Sequence, residues 1–271
     1  MTTAAEPLVD ARRPLLELLR PRGLETALFA ITIVVATLFG GVAMTAWRWP
    51  LWAAVGGFLV FAAVPFSVKW VGDLRRFGAG VAILGILLVL QGFHGVEHIV
   101  QFVQNHILGL SLRASTGLLS PANAEWVHFA WNWIVLVVIF GLLWAGHLRN
   151  VAGVALVIWA TAHTLEHTYL MVRYLQVLSD LQAMGITGIT AQGLPGILGQ
   201  DGWLARAPET QGTVLCRIPG LTAASRLDIH FGWNAGELIL LVLAAHRSLK
   251  PTGSRWRIPR LGRASTGGGA R

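Results

Sequence analysis

Long apolar runs constrain the fold of this chain more than any other feature. Six stretches are long enough to cross a membrane as helices, because about 20 apolar residues span a hydrocarbon core of roughly 30 Å. The composition agrees, with 54% hydrophobic and only 13% charged residues, which is unusual for a soluble domain. The sequence therefore predicts an all-α polytopic membrane bundle of six transmembrane helices, at residues 24–46, 51–70, 78–104, 125–146, 151–175 and 228–246.

The positive charges lie beside these predicted spans. The net charge is +8, but the cations flank apolar segments instead of covering a polar surface, so we expect the lipid bilayer and not nucleic acid as a partner. If six spans alternate, every cluster falls on one side, and the positive-inside rule makes that side cytoplasmic. We predict a multi-pass cell-membrane protein with both termini in the cytoplasm. The clusters are Arg12, Arg13, Arg20 and Arg22; Lys69, Arg75 and Arg76; Arg149; and Arg247, Lys250, Arg255, Arg257, Arg260 and Arg263.

Two polar motifs interrupt the apolar spans. The sequence HGVEH occupies residues 94–98 and HTLEH occupies residues 163–167, and each is followed after a predicted outer loop by HFxWN, starting at His128 and at His230. The order is the same in both copies and runs in the same direction, as in parallel repeats. This predicts a basic N-terminal segment at 1–23, two scaffold helices at 24–76, a four-helix metal-binding bundle at 77–246 made of repeats 77–146 and 151–246, and a basic flexible tail at 247–271.

Helical spacing brings these polar side chains together. In HxxEH the two histidines are four residues apart and the glutamate is three after the first, so all three share one helix face. At about 1.5 Å per residue, the motifs of all four helices lie roughly 18–28 Å from the cytoplasmic helix ends. We therefore expect one shared interior cluster near the exoplasmic side, containing His94, His98, His128, His163, His167 and His230 with Glu97 and Glu166.

Such a cluster predicts a bound metal. Burying ionisable groups without partners costs several kcal/mol each, and a divalent cation compensates, since neutral imidazole is the commonest metal ligand. The predicted metal ligands are the six histidines with Glu97 and Glu166. The candidate catalytic groups, which would bridge metals or relay protons, are Glu97, Glu166 and Glu237. Two asparagines, each four residues after a histidine, are expected to orient the ligands: Asn132 and Asn234.

A histidine-rich site of this kind suits iron or copper, with zinc also possible. We predict a dinuclear non-haem centre and a membrane oxidoreductase acting on an apolar or quinol-like substrate. The main alternative is haem b held by histidines of facing helices, in a subunit that transfers electrons without its own substrate chemistry. A polar patch that serves only helix packing, a zinc protease motif, a metal transporter and a pigment-binding subunit also remain open.

Other polar and aromatic residues have plainer predictions. Trp131, Trp133 and Trp233 are expected at the outer membrane interface, and three histidines at span ends are expected to be interfacial and not ligands: His106, His147 and His246. Cys216 is the only cysteine, so no disulfide forms within the chain. The long outer loop at 176–227 contains an apolar segment, residues 186–203, which is expected to cap the cluster, to lie on the bilayer, or to contact a substrate or a partner membrane subunit.

Overall fold

The structure, a computed structural model, describes residues 14–188, 193–218 and 220–249. Over these residues it contains helices and loops and no strands, as the sequence predicts. The α-helices are α1 (Pro14–Leu19), α2 (Leu24–Thr45), α3 (Leu51–Phe77), α4 (Ala79–Phe102), α5 (Glu125–Trp144), α6 (Val151–Ala183), α7 (Trp203–Arg206) and α8 (Arg226–Leu249). A π-helical segment, Val103–Ile107, continues α4, and short 3₁₀ helices lie in the loops at Ser120–Asn123 and Val214–Arg217.

Five of these helices are long and apolar enough to cross a membrane. They are α2, α3, α4 with its π-helical continuation, α5 and α8. The prediction of a membrane protein is consistent with this finding, whereas the count of six spans is not confirmed. The remaining long helix, α6, has 33 residues, but it carries two histidines, a glutamate and several threonines, and these side chains lower its mean hydropathy.

Two helices extend beyond their predicted ends. Helix α3 continues to Phe77 and not only to residue 70, so Lys69 does not flank the span but is buried within the helix. Its Nζ lies 2.6 Å from Asp73 Oδ2 and donates to the Leu18 carbonyl at 2.7 Å. These partners compensate the charge and let the helix continue. Helix α6 similarly runs to Ala183, eight residues into the predicted outer loop.

Contacts at the helix ends show an antiparallel arrangement. Arg76, at the end of α3, lies 2.5 Å from Glu25 at the start of α2. Asn150, which caps the start of α6, donates to Ser248 Oγ at the end of α8 at 2.8 Å. Helices α2, α4 and α6 therefore begin at the end of the bundle where α3, α5 and α8 finish. The predicted cations at Arg12 and Arg13, and those from Lys250 onward, lie outside the described residues.

Helices α4, α8, α6 and α5 pack side by side in that order, with α3 beside α4 and α2 beside α3. Helices α4 and α5 meet only over a short stretch, which leaves one side of the four-helix bundle more open than the others. The half of the bundle nearest the chain ends is filled by apolar side chains. Its core includes Leu84, Leu87, Leu88, Val135, Ile139, Leu142, Leu156, Leu241 and Ala244. The polar groups in the other half of the bundle therefore lie next to this apolar core.

Candidate metal centre

The six predicted histidines converge from four helices, which confirms the predicted histidine cluster. Helix α4 contributes His94 and His98, α5 contributes His128, α6 contributes His163 and His167, and α8 contributes His230. Neighbouring ring centroids are 4.6 Å apart for His94 and His98, 5.8 Å for His98 and His128, 5.2 Å for His128 and His167, 4.6 Å for His167 and His230, and 4.9 Å for His163 and His167.

The first group of histidines has the spacing of a metal site. One ring nitrogen from each of His94, His98 and His128 lies within 4.8 Å of the others. The two Nε2 atoms of His94 and His98 are 3.3 Å apart. Three nitrogens this close can converge on one cation, because metal–nitrogen bonds are about 2 Å long.

Hydrogen bonds identify the metal-facing nitrogen of His98. Its Nδ1 lies 2.9 Å from Gln101 Oε1, and the Gln101 amide donates to Asn123 Oδ1 at 2.7 Å. Asn123 in turn donates to the carbonyl of Thr116 at 2.8 Å. Because each amide can accept only through its oxygen, the direction of the chain is set, and Nδ1 of His98 must carry the proton. Its Nε2 lone pair then faces His94.

The second group of histidines contains the two least exposed rings of the cluster. His163 and His167 are each 1% exposed, and His230 is 8% exposed. Among the described residues, no hydrogen-bond partner is found for Nε2 of His163, for either nitrogen of His167, or for Nε2 of His230. Buried polar atoms nearly always have a partner, and one left unpaired costs about 1–3 kcal/mol. The described residues therefore leave these ring nitrogens available to a ligand.

Glu237 lies in a hydrogen-bond chain that crosses all four helices. Trp131 Nε1 donates to Gln91 Oε1 at 3.0 Å, and Gln91 Nε2 donates to Glu237 Oε1. The other carboxylate oxygen lies 2.8 Å from His163 Nδ1. We call this series, Trp131–Gln91–Glu237–His163, the Glu237 chain. These are contacts that a residue orienting a histidine would make, and the catalytic role predicted for Glu237 stays a prediction.

The two motif glutamates contact the outer loops. Glu97 accepts hydrogen bonds from the backbone N–H groups of Leu118 and Leu119 at 2.8 and 2.9 Å. Glu166 accepts from Ile197 and Leu198 at 3.0 and 3.3 Å. All four carboxylate oxygens are thus engaged by loop backbone. These contacts give no support to the predicted roles of Glu97 and Glu166 as metal ligands and catalytic groups, and they show a loop-anchoring role that sequence reasoning missed.

Each anchored loop approaches its glutamate through a glycine. A Cβ atom at Gly117 would overlap Glu97 Oε1, and one at Gly196 would overlap Glu166 Oε1. Gly117 also has a φ of +72°, which residues with a Cβ seldom adopt. The sequence carries a signal for these contacts, since GLL at 117–119 and GIL at 196–198 each follow one HxxEH motif.

The two asparagines make identical contacts. The side-chain amide of Asn132 donates to the carbonyl of His128 at 2.9 Å, and that of Asn234 donates to the carbonyl of His230 at 2.9 Å. Each amide thus reaches the histidine's backbone one turn earlier in the helix. Asn132 and Asn234 therefore support the helical turn from which each histidine projects.

Two tryptophans lie against the cluster, a contact that the sequence did not predict. Trp131 belongs to the Glu237 chain, and its ring centroid is 5.8 Å from that of His94. Trp233 stacks on His163, with centroids 5.5 Å apart and planes 8° from parallel. Trp133 is 43% exposed, which suits an interfacial position. The difference arises because residues 131 and 133 lie on different faces of α5.

Sequence reasoning also missed an ion pair beside the cluster. Arg226, at the start of α8, lies 2.5 Å from Glu125 Oε1 at the start of α5, and it donates to the carbonyl of Leu194 at 2.7 Å. Glu125 is only 1% exposed. The pair ties two helices and the second outer loop together. Residues 193–203 of the predicted apolar segment thus cap the cluster, whereas residues 189–192 lie outside the described residues.

The remaining histidines and the cysteine lie apart from the cluster. His106 pairs with Asp228 at 2.6 Å in an exposed position, and His246 is in the last turn of α8. His147 lies in the turn between α5 and α6, where burial lowers its pKa. Cys216 is a free cysteine whose Sγ donates to the carbonyl of Thr210 at 3.0 Å.

Comparisons of the chain with models of protein families, with curated proteins and with solved structures found no match.

Proposed function

We propose that this chain is an integral membrane metalloprotein that holds two transition-metal ions, iron or copper, in its histidine cluster. The observation that carries the proposal is the convergence of six imidazoles from four helices, with buried ring nitrogens that have no partner among the described residues. In this proposal α6 is the sixth span, the two HxxEH–HFxWN segments are a duplicated helix hairpin, both termini are cytoplasmic and the cluster faces the exoplasmic side.

The ring arrangement favours small cations over a haem. His128 and His167 are stacked, with centroids 5.2 Å apart and planes 9° from parallel. A haem with two axial histidines would have its macrocycle between facing rings, whereas here the rings pack directly against one another. Imidazole-rich sites suit iron, copper and zinc, and iron or copper would supply one-electron chemistry when bound. The chain's own part is to hold the imidazoles and to keep them neutral.

An apolar or quinol-like substrate fits the open side of the bundle. His94 is only half-buried, whereas the other five cluster histidines are buried. It lies on α4 beside the loosely packed boundary with α5. These features would let a molecule dissolved in the bilayer reach the cluster, while the anchored loops cover its aqueous side.

Partner membrane subunits are also part of the proposal. Helix α2 packs on α3 and leaves a broad apolar face exposed, including Ile31, Val34, Leu38 and Val42. Lipid or a neighbouring membrane protein would cover this face. Oxidoreductase chemistry at the cluster would need an electron acceptor or donor, and such a subunit is one source of it.

Metal analysis of the purified protein tests the proposal. The full chain is produced in cells supplied with iron or copper, purified in detergent, and examined by elemental analysis and by absorption spectroscopy. We expect about two metal ions per chain and no haem Soret band. A Soret band would replace the metal proposal with haem b and electron transfer. Absence of metal both as purified and after reconstitution with iron, copper and zinc would overturn it.

A further inference from the structure

The Glu237 chain has a defined direction. Trp131 can only donate, so Gln91 accepts through its oxygen and must donate through its amide nitrogen to Glu237. The carboxylate thus receives one hydrogen bond from Gln91 and has His163 Nδ1 at 2.8 Å from its other oxygen. With an ionised carboxylate, Nδ1 of His163 carries the proton. The Nε2 lone pair then faces the cluster, where this atom has no partner among the described residues.

A carboxylate in this position strengthens a metal ligand. Metal-bound histidines commonly donate their second N–H to a carboxylate, which sets the ring orientation and makes the ligand more basic. Glu237 and His163 are each 1% exposed, so water screens their charges little. A cation at His163 Nε2 would feel this negative charge across a single imidazole ring, and the attraction is strong at low dielectric.

The first group of histidines has no such charge. Gln91 lies three residues before His94, and the residue three before His163 is Ala160. Glu237 lies seven residues after His230, and the residue seven after His128 is Val135. In the first group, the ring whose orientation is set by a hydrogen bond is that of His98, and its partner is the neutral amide of Gln101. The oxygens of Glu97 and Glu166 accept hydrogen bonds from loop N–H groups.

From this asymmetry we infer that the two metal positions are unequal, and that the position at His163, His167 and His230 takes the first and more tightly bound cation because Glu237 orients and polarises His163. Glu237 is a positioning residue in this inference and does not touch the metal. The inference rests on the proposed function. The position at His94, His98 and His128 fills second, although its nitrogens are already close together.

A titration with Co²⁺ tests the inference. The metal-free full chain in detergent is titrated with Co²⁺ alone, and binding is followed by the visible absorption of the ion. We expect two steps for the wild type. In Glu237→Gln, which keeps the shape and removes the charge, the first step should weaken about 10–100-fold. The matched control Glu209→Gln makes the same change at an exposed carboxylate and should leave both steps unchanged.

The outcomes separate the inference from the proposed function. If the wild type binds no Co²⁺, both fail. If Glu237→Gln shows two steps of wild-type affinity, the inference is wrong and the metal site stands. Anomalous scattering from wild-type crystals with one equivalent of Co²⁺ checks the order of filling without a variant. A peak beside His163 Nε2 supports the inference, and a peak among His94, His98 and His128 overturns it.

Discussion

The two halves of the bundle share a plan but differ in how they hold their histidines. The first half, α4 and α5, and the second half, α6 and α8, each contain a loop-anchoring glutamate and an asparagine bonded to a histidine carbonyl. In the first half the oriented ring is the second histidine of its motif, His98. In the second half it is the first one, His163. Similar motifs thus build the same framework, and a few neighbouring residues make the two positions different.

The packing of the helices also differs between the two halves. Helices α6 and α8 are in close contact, and His163 is covered by Trp233, whose ring contacts Trp159. Helices α4 and α5 meet loosely, and His94 remains half-buried. The inferred tighter cation position would thus lie in the second half, and the proposed access route for a bilayer substrate in the first. Each of the following experiments changes one half, or the contact between them.

Removal of a central histidine should have the largest effect. We expect His167→Ala to abolish binding of the first, tighter cation and His98→Ala to abolish binding of the second, because each ring belongs to one of the two inferred positions. Elemental analysis of the purified variants measures the loss. His147→Ala, outside the cluster, should keep the wild-type metal content. Two bound ions in either cluster variant would contradict the prediction.

The next largest effect is expected for the ion pair that joins the halves. Arg226→Gln leaves the buried carboxylate of Glu125 without its cation, which should lower the free energy of unfolding by about 3 kcal/mol. Thermal and denaturant unfolding in detergent measure it. Arg206→Gln is the control, since Arg206 pairs with Asp201 while both side chains are more than half exposed, and such a pair contributes little. Equal effects of the two substitutions would contradict the prediction.

Loss of a loop anchor should affect both halves alike. Glu97→Gln and Glu166→Gln each replace a carboxylate oxygen by an amide group that cannot accept from the loop, at a cost of about 2 kcal/mol. Amide hydrogen exchange at Leu118 and Leu119, or at Ile197 and Leu198, should then be roughly 30-fold faster. Glu209→Gln, at an exposed position, is the control. Unchanged exchange at these amides would rule out the anchoring role.

Substitution of the two loop glycines should have unequal effects on the two halves. Gly117→Ala and Gly196→Ala both bring a Cβ against a glutamate oxygen, but only Gly117 has a positive φ. We therefore expect Gly117→Ala to be the more destabilising by about 1 kcal/mol. Unfolding of the two variants side by side measures the difference. If Gly196→Ala is the worse, backbone conformation is not what distinguishes the loops.

The smallest effect is expected at His147, in the turn that joins the halves. Burial lowers its pKa in the folded protein, so the unfolded chain binds a proton more readily. The contribution of His147 to the free energy of unfolding is therefore complete above the unfolded-state pKa of about 6.5 and is lost as the pH falls below that value. His147→Gln should remove this part of the acid sensitivity. The comparison is the unfolding free energy of wild type and variant at pH 7.5 and pH 5.5; identical pH dependence would contradict the prediction.

Much of the site could be predicted because it depends on local periodicity. The four-residue spacing of His94 with His98, and of His163 with His167, places each pair on one helix face in any helical fold. The contacts of the glutamates could not be predicted in this way. Their partners lie 21 to 32 residues further along the chain, in loops whose path depends on packing, so spacing alone suggested a metal and not a backbone amide.

The sequence by itself determined that the chain is helical and membrane-like and that six histidines occupy similar depths, because hydropathy and helical pitch are local properties. The tertiary structure alone decided which ring nitrogens are free, which helices leave an opening, and that Glu237 reaches His163 while Glu97 and Glu166 hold loops. These features depend on side chains from different helices meeting at hydrogen-bond distance. A shift of one helix by a single turn, about 5.4 Å, would change every one of them.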